Sequence, residues 1–235
     1  MTEQARGGAV SQTLSRGIRV LEILADAGEP LTIDGVAQAL GVHRSIAYRL
    51  LRTLEHHGLV VRDANGRVTL GPRMAALAAG VAHDLQAEAL PELTAVANEL
   101  GMTCFLAVLD HDECVTLVSV EPRHAVAPVA QRPGTRHPVT AGAPGKAILS
   151  LLPPAQWPAA SPDAARAVAE AAARGYATSH DEVIPSLRSV AVPLAVRGRG
   201  PAALAVVHVS GDADDARIAE RLTRSARAVR DALGG

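Results

Sequence analysis

Four polar side chains that could hold nucleic acid recur along one side of a single predicted helix. They are Ser45, Tyr48, Arg49 and Arg52. An arginine guanidinium donates paired hydrogen bonds to a guanine edge or a phosphate, and serine and tyrosine hydroxyls also bind phosphate oxygens. The opposite side of the same helix is apolar and carries Ala47, Leu50, Leu51 and Leu54. The helix could therefore be buried on one side and enter a groove on the other, although a solvated face on an ordinary helical hairpin has the same pattern.

The elements around this helix are predicted to form one small unit. Residues 31–54 predict a helix, a tight Gly41-Val42 turn and then the polar-faced helix, which is the order of a helix-turn-helix DNA reader. An apolar stripe predicts a preceding helix that ends near Ala27-Gly28. Two strand-like runs, 58–62 and 67–70, follow and are joined by a turn at 63–66. A hairpin in that position is a wing, so the sequence predicts a winged helix-turn-helix.

Positive charge is concentrated on this part of the chain. Residues 41–73 contain six arginines against Glu55 and Asp63, whereas the whole chain has a formal net charge of −1. Such a local excess favours phosphate binding. Aromatic residues make up only 2% of the chain, which favours duplex DNA over single strands that bind by base stacking. The candidate DNA contacts are Thr32, His43, Arg44, Ser45, Tyr48, Arg49, Arg52 and Arg67.

A linker helix is predicted to follow the wing. Pro72 suits the first position of a helix over residues 72–85, along which Met74, Leu77, Val81 and Leu85 form an apolar stripe. An exposed stripe of this kind commonly pairs with its symmetry mate, and a dimer would present two reading helices to a two-fold DNA site. The predicted domains are therefore residues 1–71, with an ordered core of about 13–71, the linker 72–85, and a second domain over 86–235.

The second domain is predicted to mix helices and antiparallel strands. A helix over 87–100 should end at Gly101. Two hairpins are predicted, one from 103–109 and 114–120 and the other from 190–196 and 203–210. Further helices are expected over 143–152, 162–174 and 214–233. An antiparallel sheet flanked by helices is an α+β architecture of the sensor type.

Composition excludes several other classes of protein. A hydrophobic content of 48% excludes a disordered chain and provides for an ample core. The chain contains no run of about twenty apolar residues, and its polar first residues do not form a signal peptide, so we expect a cytoplasmic protein with no membrane partner. Cys104 and Cys114 are too few for a disulfide framework and are expected to be reduced packing residues.

The sequence contains no complete enzyme signature. Gly145-Lys146 suggests a phosphate-binding loop, but Thr140 and Ala147 stand where that loop needs Gly and Ser or Thr. A Gly-x-Ser-x-Gly nucleophile elbow is absent. His111 with Cys114, and the pair His56-His57, lack a second cluster at ligand spacing, so neither a metal nor another cofactor is expected. Lys146 is the only lysine, and its stem is expected to pack along a helix while its ammonium stays in water.

The chain resembles the IclR-type transcriptional regulators. In the N-terminal part the similarity lies in the segments LSRGIRVLEIL, HRSIAYRLLRTLEHHGLV and RVTLGPR. In the C-terminal part it lies in PGTRHPVTAGAPGKAIL, RGYATSHDEVIPSLRSVAVPL and AVVHVSG. The order and spacing of these segments match over about residues 14–233. The resemblance implies an α+β fold with an N-terminal winged helix-turn-helix joined by a linker helix to a GAF-like, antiparallel-sheet effector domain.

The same resemblance implies a DNA-binding regulator, more often a repressor, that acts as a homodimer or dimer of dimers on palindromic operators. Its second domain would bind a small effector, often a carboxylate. The implied effector contacts are Gly142, Ala143, Pro144, Ser179, Ser189, His208 and Ser210. Backbone N–H groups at a helix start, hydroxyls and an imidazole could together hold an anion. His208 could instead be a packed strand residue, Ser186 stands where glycine is common in the family, and the second domain could serve oligomerisation alone.

Overall fold

Three helices and a two-stranded hairpin form the N-terminal unit of the computed structural model, which describes residues 11–124, 129–209 and 213–235. The elements are α1 (Gln12–Ala27), α2 (Ile33–Leu40), α3 (Arg44–His56), β1 (Val60–Arg62) and β2 (Val68–Leu70). β1 and β2 pair antiparallel, with Val61 opposite Thr69. The predicted winged helix-turn-helix is confirmed in its order and its elements.

Local chemistry fixes the ends of these helices. Gly28 and Gly41 end α1 and α2 in the left-handed region, with φ of 64° and 67°, which glycine adopts without a steric penalty. The hydroxyl of Thr32 accepts a hydrogen bond from the Gly35 amide, 3.0 Å away, and so caps α2. One small core unites all five elements and contains Val20, Leu24, Val36, Leu50, Leu51, Val60 and Val68.

The predicted linker helix over 72–85 is wrong as one continuous element. The structure has a short helix α4 (Arg73–Ala78), a turn over 79–82, and then α5 (His83–Leu100). Gly80 lowers helix propensity, and Ala82 adopts a left-handed φ of 46°, so the helical path is interrupted there. The apolar stripe is divided as a result, because Leu77 and Val81 are exposed whereas Leu85 is buried in the C-terminal core. Two compact units meet in sequence between Val81 and Ala82.

A six-stranded antiparallel sheet with strand order β5-β4-β3-β8-β7-β6 forms the centre of the C-terminal unit. Its strands are β3 (Thr103–Asp110), β4 (Glu113–Val120), β5 (Arg136–Pro138), β6 (Ala177–His180), β7 (Leu187–Leu194) and β8 (Ala202–Val209). Both predicted hairpins are confirmed, with shifts of up to a few residues at the ends of their strands. The short edge strands β5 and β6 were not predicted, and neither was the β3–β8 pairing that joins the two hairpins.

Helices cover both faces of this sheet. α5 and α8 (Asp215–Ala232) pack on one face, where Leu204 and Val206 point. α6 (Gly142–Leu149) and α7 (Pro162–Arg174) pack on the other, where Ala205 and Val207 point. A 3₁₀ turn at Pro154–Gln156 lies between α6 and α7. The expected α+β architecture is confirmed.

The two cysteines behave as the sequence indicates. Cys104 and Cys114 are free and buried. Burial disfavours the thiolate, so it raises the pKa of the Cys104 thiol strongly and that of Cys114 to about 12. Within the described residues, no helix is both long and apolar enough to cross a bilayer, and no group of three potential metal ligands converges.

Candidate functional site

The polar face of α3 is exposed as its spacing predicts. Ser45, Tyr48, Arg49 and Arg52 all face solvent, while Ala47, Leu50 and Leu51 are buried against the rest of the N-terminal unit. The buried side fixes the rotation of α3 about its axis. Two guanidinium groups and two hydroxyls are therefore presented along one exposed strip, which suits hydrogen bonding to base edges and phosphates.

Three other predicted DNA contacts also organise the helix-turn-helix itself. Thr32 caps α2, as described above. His43 caps α3, because its Nδ1 accepts a hydrogen bond from the Ser45 amide at 3.3 Å and lies 2.9 Å from the Ser45 hydroxyl. Arg44 donates to Asp34 at 3.0 Å in an exposed ion pair. These side chains remain at the surface, so the structural roles leave them within reach of a ligand.

The wing presents Arg67 from a loop that Asp63 organises. The Asp63 carboxylate accepts hydrogen bonds from the amides of Asn65 and Arg67, at 2.9 and 2.8 Å. Arg67 is exposed, and its guanidinium donates to the Pro30 carbonyl at 3.4 Å. The predicted Asn65-Gly66 turn is therefore held by a side chain two positions before it.

A cavity in the C-terminal unit lies between the sheet, the start of α6 and the segment that joins β6 to β7. It encloses about 490 Å³ of empty space, its open mouth included. Four of the seven predicted effector contacts line it, namely Gly142, Pro144, Ser179 and Ser189. Phe105, Val183, Ile184, Leu187 and Val207 contribute an apolar wall, and Gln131, Thr135 and His137 add polar groups. The mixture suits a small ligand with one polar end.

The structure does not bring two other predicted contacts, His208 and Ala143, to this cavity. His208 lies on the opposite face of the sheet, because side chains alternate along β8 and Val207 is the residue that faces the cavity. Its imidazole is buried, with Nδ1 2.9 Å from the Val209 carbonyl, so the packed alternative is the one observed. Ala143, the second residue of α6, is fully buried in the core between α6 and the sheet. Ser210 lies outside the described residues.

The two cavity serines sit side by side across a strand pair. Ser179 in β6 is the register partner of Ser189 in β7. The Ser189 hydroxyl donates its proton to the Val206 carbonyl at 2.8 Å. It can therefore accept a hydrogen bond from a ligand but cannot donate one.

The start of α6 holds a carboxylate that the sequence did not predict. Glu182 accepts a hydrogen bond from the Gly142 amide at 2.9 Å through one oxygen and from the Lys146 ammonium through the other. Lys146 also donates to the Thr178 carbonyl at 3.3 Å. Lys146 is only 7% exposed, so the expectation that its ammonium stays in water is wrong. No local pattern identified this pair, because the need for an acidic partner comes from the burial of Lys146, which depends on tertiary packing.

Glu182 belongs to a segment with unusual backbone geometry, residues 181–186. Asp181 and Ser186 adopt left-handed φ values of 59° and 66°. The Ser186 amide donates to the Asp181 carboxylate at 2.6 Å, which closes the segment into a compact loop. Ser186, which stands where the family commonly has glycine, therefore has a backbone conformation that favours glycine sterically.

Comparison with known proteins now gives the relationships of the chain. The family model described as "IclR helix-turn-helix domain" matches residues 13–64, and the one described as "Bacterial transcriptional regulator IclR C-terminal" matches residues 78–168. A glycerol operon regulatory protein of Streptomyces griseus is 31% identical over 85% of this chain and 84% of its own. The HTH-type transcriptional regulator XynR of Escherichia coli is 29% identical over 96% of this chain and 98% of its own.

A solved structure gives the same result. The crystal structure of an IclR homologue complexed with 4-hydroxybenzoate, from Microbacterium hydrocarbonoxydans, has a TM-score of 0.82. It is 26% identical and covers 94% of this chain and 99% of its own.

Proposed function

The chain belongs to the IclR family of DNA-binding transcriptional regulators, which are not enzymes, and from that premise we propose that it represses its target genes under the control of a small organic acid. In this proposal the N-terminal unit reads a palindromic operator in duplex DNA. The acid binds the cavity of the C-terminal unit and changes the affinity for the operator. The single observation that carries the proposal is the cavity at the start of α6, where a backbone amide and a buried ammonium already hold a carboxylate.

DNA reading is assigned to the exposed strip of α3. Arg49 and Arg52 lie on the same side of the helix as Ser45 and Tyr48 and are exposed. We assign base contacts to the two arginines and phosphate contacts to Thr32, His43, Arg44 and, on the wing, Arg67. A homodimer or a dimer of dimers would place two such helices on two half-sites, and the exposed apolar side chains of Leu77 and Val81 are consistent with self-association.

Effector binding is assigned to the cavity. Its apolar wall would hold a hydrocarbon body, and Gly142, Ser179 and Ser189 would contact the polar groups of the ligand. The 4-hydroxybenzoate in the Microbacterium homologue is a small organic acid of this kind. Coupling between effector and operator of about 1 to 3 kcal/mol would change DNA affinity several-fold to about a hundredfold.

Binding to the DNA upstream of the gene itself tests this proposal. The purified protein is titrated at fixed salt with that duplex and with a scrambled duplex, in the presence and absence of a panel of organic acids. We expect selective binding that at least one acid shifts. Selective binding that no acid in the panel changes would favour the alternative in which the C-terminal unit only oligomerises. Equal affinity for both duplexes would contradict sequence-specific regulation.

Arginine substitutions test the reading face. Arg49→Ala and Arg52→Ala are each expected to weaken operator binding by about 1 to 3 kcal/mol and to relax sequence preference, because a bidentate base contact is lost. Arg67→Ala should instead weaken specific and random duplexes alike and reduce the salt dependence. Arg166→Ala, an exposed arginine on α7, is the matched control. Equal losses on specific and random DNA for both α3 variants would refute the assignment.

A further inference from the structure

The protein's own Glu182 places its carboxylate between two anion-binding groups at the start of α6. Its two oxygens accept hydrogen bonds from the Gly142 amide and the Lys146 ammonium, and Glu182 itself lines the cavity. An amide at a helix start and a buried cation are general binding groups for carboxylates and do not distinguish a protein side chain from a ligand. Gly142 and Lys146 therefore form an anion-binding position, and Glu182 of the same chain occupies it.

Lys146 makes an empty anion position unfavourable. Its side chain is only 8% exposed, while that of Glu182 is 32% exposed. Removing the partner of a buried charge leaves that charge desolvated and unpaired, which is strongly destabilising. Glu182 can therefore leave most readily when another carboxylate arrives to pair with Lys146. The partly exposed Glu182 can move into water, whereas the buried lysine cannot.

The segment that carries Glu182 is weakly anchored at its apolar positions. Val183 and Ile184 line the cavity and yet remain 44% and 42% exposed. Both ends of the segment, Asp181 and Ser186, hold non-glycine residues with positive φ, a conformation that is unfavourable for such side chains. β6, which precedes it, is one of the two edge strands of the sheet. Movement of residues 181–186 would thus disturb little of the core.

We propose that Glu182 is an internal competitor for the effector carboxylate. A monocarboxylate ligand exchanges with Glu182 on Gly142 and Lys146, and the released segment 181–186 changes conformation at the cavity mouth. The inference rests on the proposed function, and it specifies both the ligand class and the residue that sets its affinity. Neutral amides of the same shape are excluded, because they leave Lys146 without a counter-charge. The apparent affinity for an acid equals its affinity for the vacant site multiplied by the fraction of time that Glu182 leaves the site vacant.

The single lysine allows this exchange to be observed directly. Protein labelled with ¹³C at the lysine ε-carbon gives one side-chain signal, that of Lys146. Acetate, with acetamide as its neutral counterpart, is titrated into the wild type, Glu182→Ala and Glu182→Gln. The alanine variant leaves space for acetate, and the glutamine variant preserves the shape of the side chain in case the first does not fold. Glu170→Gln, an exposed glutamate on α7, is the matched control.

Acetate is expected to shift the Lys146 signal of Glu182→Ala saturably, at a concentration about tenfold lower than in the wild type. It should also raise the melting temperature of that variant, while acetamide does neither and Glu170→Gln behaves as the wild type. Half-saturation at the same acetate concentration in wild type and both Glu182 variants would overturn the proposal. Equal responses to acetate and acetamide would also overturn it. So would the failure of both Glu182 variants to respond to acetate.

Operator binding, measured with and without an acid, separates this inference from the proposed function. A protein that does not bind its operator selectively, but whose Lys146 signal follows the expected pattern, would contradict the regulatory function and keep the exchange. Selective operator binding that an acid shifts, with wild-type and Glu182→Gln proteins equally sensitive to that acid, would contradict the exchange and keep the function.

Discussion

At the scale of single residues, Gly145 shows how tightly the start of α6 approaches the preceding chain. A β-carbon at this position would lie 2.1 Å from the Val139 carbonyl oxygen and 2.8 Å from its carbon. Since these atoms are backbone, they cannot rotate aside as a side chain could. We expect Gly145→Ala to lower the free energy of unfolding by about 2 to 4 kcal/mol, measured by urea denaturation.

Gly200 provides the control for this prediction. A β-carbon there meets nothing within 4 Å, and its φ is not positive, so Gly200→Ala should not lower stability and should raise it by at most about 1 kcal/mol. If Gly145→Ala were as stable as Gly200→Ala, the close approach of α6 to residue 139 would be incorrect.

At the scale of elements, a polar cluster joins α5 to α8. Arg221 donates to Glu99 at 2.5 Å and to the Ser225 hydroxyl at 2.7 Å, and that hydroxyl donates to Glu92 at 2.5 Å. The hydrogen bond from Arg221 holds the pKa of the Glu99 carboxyl below its ordinary value of 4.5. The charged form of Glu99 is therefore favoured by folding, and this stabilisation is present above pH 4.5 and disappears as the pH falls through the lowered pKa.

Glu99→Gln should accordingly be less stable than the wild type at neutral pH. Because Glu99 is 53% exposed, solvent screening limits the expected loss to about 0.5 kcal/mol. The difference in unfolding free energy between the two proteins should shrink progressively below pH 4.5. Denaturation curves collected from pH 7 to about pH 3 measure it, with Glu88→Gln, an exposed residue of α5, as the control. A difference that stays constant over this range would contradict the pKa of Glu99.

At the scale of the whole molecule, the N-terminal unit has one hydrophobic core and the C-terminal unit has two, one on each face of its sheet. Cys104 lies in one of the C-terminal cores and Cys114 in the other. Cys104 and Cys114 are buried, and burial raises the pKa of both thiols. A thiol-reactive disulfide reagent should therefore attack neither residue in the native protein at neutral pH and both after unfolding. Thiol reaction during a denaturant titration then reports the C-terminal unit alone.

The single tryptophan supplies an independent probe of the same unit. Trp157 donates from its indole to the Leu149 and Leu152 carbonyls, at 3.0 and 3.1 Å, so its fluorescence follows the packing around α6. The thiol and fluorescence transitions should coincide. Rapid labelling well before the fluorescence change would show that a cysteine is more accessible than its burial indicates.

The sequence by itself determined the features that depend on neighbours along the chain. The repeat of about 3.6 residues in α3 separates Arg49 and Arg52 from Leu50 and Leu51, and Gly28 and Gly41 end their helices, so the winged unit was predictable. The family resemblance also identified four cavity residues through their motifs. The continuous linker helix failed because Gly80 and Ala82 interrupt it, which the apolar stripe alone did not reveal.

Only the tertiary structure decided which distant groups meet. Val207 and His208 are neighbours in the motif AVVHVSG, yet the register of β8 places their side chains on opposite faces of the sheet. A register shift of one residue would exchange them. Gly142 and Glu182 are forty residues apart, and their contact depends on the pairing of β6 with β7 against α6. Local propensity carries no information about such pairings. The free energy that selects them comes from burial of the apolar faces of the sheet, and from the pairing of the buried Lys146 ammonium with Glu182.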